Sequence, residues 1–113
     1  METKRLSKRI PFRQKVKFGF PEPRYVGYTS DLSLNGLRLS SNHAMPPGSK
    51  VAMRLYLGER SLRLEGDVVW VAPAKGELSS TMGVKLSSRL NDISLVYTQR
   101  LNEYRDGPSM RNH

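Results

Sequence analysis

The sequence predicts a small, mainly β domain: a six-stranded antiparallel barrel with a C-terminal α-helix and a flexible basic N-terminal arm. Three observations carry that prediction. Short runs of alternating apolar and polar residues are separated by turn residues, the period changes from two to three-and-four after residue 90, and cations crowd the first seventeen residues. At 113 residues the chain holds one core, and the only subdivision expected is arm (1–13), barrel with its helix (14–107) and tail (108–113).

The arm comes first. Lys4, Arg5, Lys8, Arg9, Arg13, Lys15 and Lys17 face only Glu2 in this region, and Pro11 disfavours a helix through Ile10. Arg9-Ile-Pro-Phe-Arg13 sets two guanidinium groups four positions apart, with Ile10 and Phe12 between them able to pin the segment to the body. Taken by itself such a pattern is cheap, since Arg5 and Arg9 repeat it, and a solvated basic tail is the better explanation of it in isolation.

The strands follow in order. Val16–Phe20 alternates and stops at Pro21-Glu-Pro23, the second strand runs from Arg24 to about Ser30, and the third spans Leu37–Ser41. Pro46-Pro-Gly48 marks a loop. The strongest pair is Val51–Leu57 with a return strand through Leu62, Leu64 and Val68–Val71, joined by Gly58-Glu59 at hairpin spacing; Gly66-Asp67 is the expected place for a bulge. Ser80–Leu86 is the sixth strand, after the turn at Pro73-Ala-Lys-Gly76. Asn91 or Asp92 then caps a helix over about 91–105, whose stripe of Ile93, Val96, Tyr97, Leu101 and Tyr104 should close one end of the barrel before Asp106-Gly107-Pro108 stops it.

Between the second and third strands lies Asp31-Leu-Ser-Leu-Asn-Gly36. If residues 31, 33 and 35 remain extended, Asp31 and Ser33 share a polar face while Leu32 and Leu34 anchor the other. A carboxylate accepts hydrogen bonds, a hydroxyl donates and accepts, and glycine permits close backbone approach, a set suited to a base edge beside a phosphate. Asp and Ser capping their own backbone in a turn is the competing explanation.

The ordered pair Arg9-xxx-Arg13 and Asp31-x-Ser33-xx-Gly36 resembles the RxxxR and D/N-x-S-x-x-G motifs of the PilZ domain family. The likeness continues through Gly66-Asp-Val-Val-Trp70, Met82-Gly-Val-Lys-Leu86 and the closing helix, as in a stand-alone, single-domain member. The resemblance implies a split-barrel type fold that binds the bacterial second messenger cyclic di-GMP. It assigns Arg9 and Arg13 to guanine and phosphate, Asp31 to guanine donors, Ser33 to phosphate and Gly36 to close backbone approach. Lys8, Trp70 and Arg5 are secondary candidates: Lys8 occupies the position that in the family influences whether one or two ligands bind, and Trp70 resembles a tryptophan that some members set beside the ligand. The expected relay is ordering of the arm by ligand, read by an unidentified downstream protein.

The net charge of +9, from 19 Lys and Arg against 10 Asp and Glu, requires an anionic partner without choosing one. Absent cysteine, a start with no apolar signal core and no long apolar run point to a cytoplasmic protein that does not insert in membranes. No enzyme is expected, nor any cofactor or metal: His43 and His113 fall in a loop and a tail, and Glu65 and Asp67 read as solvent-facing charges. Two alternatives remain. A small basic barrel binding single-stranded nucleic acid would use Tyr25, Tyr28 and Trp70 but has no need of Asp31 in a phosphate-tracking site. The other is a protein-interaction module with the fold and no nucleotide.

Overall fold

A computed structural model of the chain describes residues 8–73, 79–87 and 95–103. Among the described residues seven strands form one antiparallel sheet: β1 (Ile10–Pro11), β2 (Lys15–Gly19), β3 (Tyr25–Leu32), β4 (Gly36–Ser41), β5 (Lys50–Leu57), β6 (Arg60–Ala72) and β7 (Ser80–Leu86). The order β3-β2-β5-β6-β7-β4 closes on itself through β3–β4 pairing, so six strands make a barrel and β1 is added beside β3. Closure leaves no free edge among the six. A helix, α1, runs through 95–103, and among the described residues no helix is long and apolar enough to cross a membrane.

The alternation that defines the strands also fills the barrel. Val16 and Phe18, Leu37 and Leu39, Val51, Met53 and Leu55, Leu64 and Val68, and Met82 and Val84 point inward and are buried. The β5–β6 hairpin turns at Gly58-Glu59 with Leu57 opposite Arg60. Gly58 has φ +70° while among the described residues no non-glycine has positive φ, the pattern of a II′ turn in which the first central residue must be glycine.

The segment ahead of β2 is tied to the barrel more firmly than its lack of periodicity suggests. Ile10 pairs with Leu32 and Pro11 with Asp31, and Ile10 and Phe12 are both buried, the pinning role anticipated for them. Thr29, fully buried on β3, completes the attachment. Its hydroxyl donates to the Phe12 carbonyl at 2.6 Å and accepts from the Gln14 amide at 2.9 Å, satisfying one buried and one partly buried backbone group. Tyr97 of α1 is buried as well and donates its phenol proton to the Lys8 carbonyl, while Arg100 lies 5.0 Å over the Phe12 ring. Val96 and Leu101 pack against the core at the same end. The remaining stripe residues Ile93 and Tyr104, the Asn91/Asp92 cap, the stop at 106–108, the tail and Arg5 lie outside the described residues.

Two bulges decide which side chains leave the barrel. Thr29 opposes Leu39, yet Asp31 opposes the next residue, Arg38, so Ser30 is an extra residue on β3. By strict alternation Asp31 would follow Thr29 inward; the extra residue reverses the parity, turning Asp31 out and Leu32 in. On β6, Val68 opposes Val84 and Trp70 opposes Gly83, so Val69 is extra and Trp70 is likewise turned out instead of following Val68 into the core. The β6 bulge thus lies beyond Gly66-Asp67, where it was expected. Gly66 answers a different need, since a Cβ there would overlap the Lys85 carbonyl oxygen on β7.

Candidate functional site

Asp31 sits at the end of β3 with its carboxylate between two guanidinium groups. Arg9 Nη1 is 2.5 Å from Oδ1, and Arg38 Nε approaches Oδ2 at 3.4 Å. The geometry of the second contact falls short of a hydrogen bond, leaving the buried Arg38 Nε without a hydrogen-bond partner. The Asp31 side chain is only 17% exposed, against 43% for Arg9 and 42% for Arg38. One carboxylate between two cations leaves a surplus of positive charge. Both arginine side chains remain partly exposed, so the cluster can take an anion, and Asp31 holds Arg9 where that anion would meet it.

Trp70 is the apolar half of the site. Its indole lies across Gly83 of β7, where a Cβ would overlap the ring, and the Arg38 guanidinium sits 5.5 Å above it. At 39% exposure it belongs to the outer rim and not to the core. A shallow pocket of about 240 Å³ joins the two halves, with Arg9, Asn35, Gly36, Trp70, Gly83 and Lys85 on its walls. Small-molecule sites are typically about 300–1,000 Å³. This one has room for a base; a dinucleotide would have to lie partly across the surface.

Of the sequence-derived candidates, Arg9, Asp31, Gly36 and Trp70 therefore converge, and three others do not. Arg13 extends away to sit 4.9 Å over the Tyr28 ring. Lys8 is exposed and engages the helix through its carbonyl. Ser33 is buried and folded into the turn: its amide and hydroxyl both donate to the Gly36 carbonyl, and its hydroxyl accepts from the Asn35 amide. The extended face shared by Asp31 and Ser33 does not form, because β3 ends at Leu32 and residues 33–35 turn back. For Ser33 the turn-capping explanation holds; for Asp31 the ion pairs replace it. Gly36 has a structural reason of its own, as a Cβ there would overlap the Val84 carbonyl oxygen.

Sequence reasoning missed Arg38. Its position alternates with Leu37 and Leu39, which marks it as outward-facing, but its partnership with Asp31 depends on the Ser30 bulge.

Comparison with known proteins gives a consistent answer. The family model of the PilZ domain matches residues 3–104, while a sequence search of curated proteins returned no match. Among solved structures the PilZ domain with c-di-GMP of YcgR from Escherichia coli is similar at TM-score 0.70 and 11% identity, covering 94% of this chain and 95% of that one. The Bacillus subtilis inhibitor of motility MotI/DgrA gives TM-score 0.68 and 14% identity over 88% of this chain. A tetrameric PilZ domain protein from Xanthomonas campestris gives 0.56 and 22% over 76%. This chain spans about half the length of the last two, 49% in each case. At these identities the structural likeness establishes the fold.

Proposed function

The chain belongs to the PilZ domain family, and we propose that it is a receptor for cyclic di-GMP and not an enzyme. The observation that carries this is the convergence of Arg9, Gly36 and Trp70 on one outward-facing pocket of base size, with Asp31 beside it, ion-paired to Arg9. Guanine offers O6 and N7 as acceptors on one edge and N1 and N2 hydrogens as donors on another. Arg9 can fork onto the acceptors or a phosphate, Asp31 can accept from the donors, and the Trp70 ring offers a stacking face. Asp31 currently spends an oxygen on Arg9, so ligand entry exchanges an internal ion pair for contacts to guanine. A pair this exposed is worth about 0–1 kcal/mol, which makes the exchange inexpensive.

Arg13 and Ser33 complete the motif only by moving: Arg13 swings from Tyr28 toward the ligand, and the Ser33 hydroxyl turns from the Gly36 carbonyl to a phosphate. With Ile10 and Phe12 already buried, the relay to a partner protein rests on Arg9, Arg13 and the residues ahead of Ile10 becoming ordered around the ligand. Hydrogen exchange tests both parts. Cyclic di-GMP should slow exchange over residues 1–13 and 31–36; equal protection with and without ligand in both segments refutes the proposal. The present engagement of Arg13 and Ser33 also favours a second reading, a PilZ-fold interaction module that binds no nucleotide, which predicts that null result.

A further inference from the structure

On the side of the barrel centred on β5, opposite β4, outward positions of β2, β5 and the first part of β6 line up in register. Lys17 is the cross-strand partner of Arg54, and Arg54 is the partner of Arg63. Neighbouring strands are about 4.8 Å apart, so three like charges stand in a row spanning about 10 Å. Like charges directly opposite destabilise a sheet. Among the described residues none of the three has an ion pair, and Arg54 finds only the Ser61 hydroxyl at 3.1 Å. The adjacent outward carboxylate, Glu65, stands opposite Ala52 and pairs with none of them.

Two residues further along β2 and β5, and on the neighbouring β3, aromatics stand beside further cations. Lys15 is opposite Tyr28 and reaches over the Tyr56 ring at 5.3 Å, while Arg13 covers Tyr28. We propose that this face binds single-stranded nucleic acid without sequence preference, the phosphates on Lys17, Arg54 and Arg63 and the bases against Tyr28 and Tyr56. An acidic protein is the less suitable occupant. Protein–protein interfaces deplete lysine and unpaired charge at their centres, whereas nucleic-acid interfaces are much more positive and take an uncompensated row of cations. Asp31, which would repel a phosphate strand, is held between Arg9 and Arg38 at a separate site, and Glu65 lies beyond the end of the cationic row, opposite Ala52. The inference does not depend on cyclic di-GMP binding.

The test is fluorescence anisotropy of a short labelled oligothymidylate with the full chain across a salt series. Three phosphate contacts predict a log–log slope of about −2 for single strands, steeper if Lys15 joins. Lys17→Gln/Arg54→Gln/Arg63→Gln should weaken binding about tenfold or more at low salt and flatten the slope by about 2. A charge-matched control, Arg24→Gln/Lys50→Gln/Lys85→Gln, should change the slope little. Arg9→Ala should bind the oligonucleotide as wild type does, separating this face from the pocket. No binding at about 50 mM salt, equal losses in the two triple variants, or displacement by polyphosphate charge for charge would each overturn the proposal.

Discussion

Gly83→Ala is the most informative single change, because it acts on the pocket without touching a charged residue. The added Cβ would lie 2.8 Å from Trp70 Cδ1 and nearer still to Nε1 and Cε2, where ordinary contact begins at 3.4 Å. The difference, 3.4 less 2.8, requires Cδ1 to retreat by 0.6 Å and the other two atoms by more. Since the indole rests on the outer surface at 39% exposure, it can swing away from β7 without opening the core, so the fold should survive. What is lost is the stacking face and the seat beneath Arg38. Stacking a base on an aromatic ring is worth about 1–3 kcal/mol, so cyclic di-GMP affinity should fall about 5- to 150-fold. Trp70 is the sole tryptophan of the chain, so its fluorescence reports on this site alone. The variant should show a red-shifted emission maximum and lose most of the wild-type quenching by ligand. An unchanged spectrum together with wild-type affinity would refute the placement of Trp70 at the ligand.

Three other changes probe the framework. Thr29→Val leaves the Phe12 carbonyl and Gln14 amide without their buried partner, at a cost of about 1–3 kcal/mol; thermal unfolding should come down by roughly 5–20 °C for a domain of this size. Gly36→Ala drives a Cβ into the Val84 carbonyl, a backbone atom that cannot rotate away, so circular dichroism should show loss of folded protein and not merely of binding. Asp31→Asn keeps the shape but removes the charge that holds Arg9 and accepts from guanine. Calorimetric affinity should fall about 10-fold or more with little change in melting temperature, as expected for an ion pair this exposed.

Much of the barrel was legible because its strands obey one rule. Val51, Met53, Leu55 and Leu57 alternate with polar or smaller residues, and the Gly58-Glu59 turn fixes how β6 returns. The two residues of β1 are too few to display any period, so their pairing with β3 emerges only from the buried Ile10 and the Thr29 hydrogen bonds. The bulges were less legible. Ser30 and Val69 have no chemistry that compels an insertion, and the consecutive apolar run Val68–Val71 shows only that alternation fails somewhere nearby. Their consequence is large, since they alone set Asp31 and Trp70 outside the barrel. The order of the motifs thus pointed to Arg9, Asp31 and Gly36, which the fold brings together, but also to Arg13 and Ser33, which it does not, whereas Arg38 required the register that Ser30 imposes. Ser33 was misplaced for a related reason: a turn of three residues folds its hydroxyl inward, where an extended chain would have carried it outward.

The central claim is tested most directly by isothermal titration of the purified chain with cyclic di-GMP at near-physiological salt, alongside Arg9→Ala/Arg13→Ala and with GMP and GTP as competitors. Each arginine contributes charge-assisted contacts worth about 1.5–3 kcal/mol, so each loss alone weakens binding about 10- to 100-fold. Saturable heat in the wild type, undisturbed by GMP or GTP and abolished in the double variant, is the predicted result. No heat at high micromolar ligand, or equal binding by the double variant, would contradict the account.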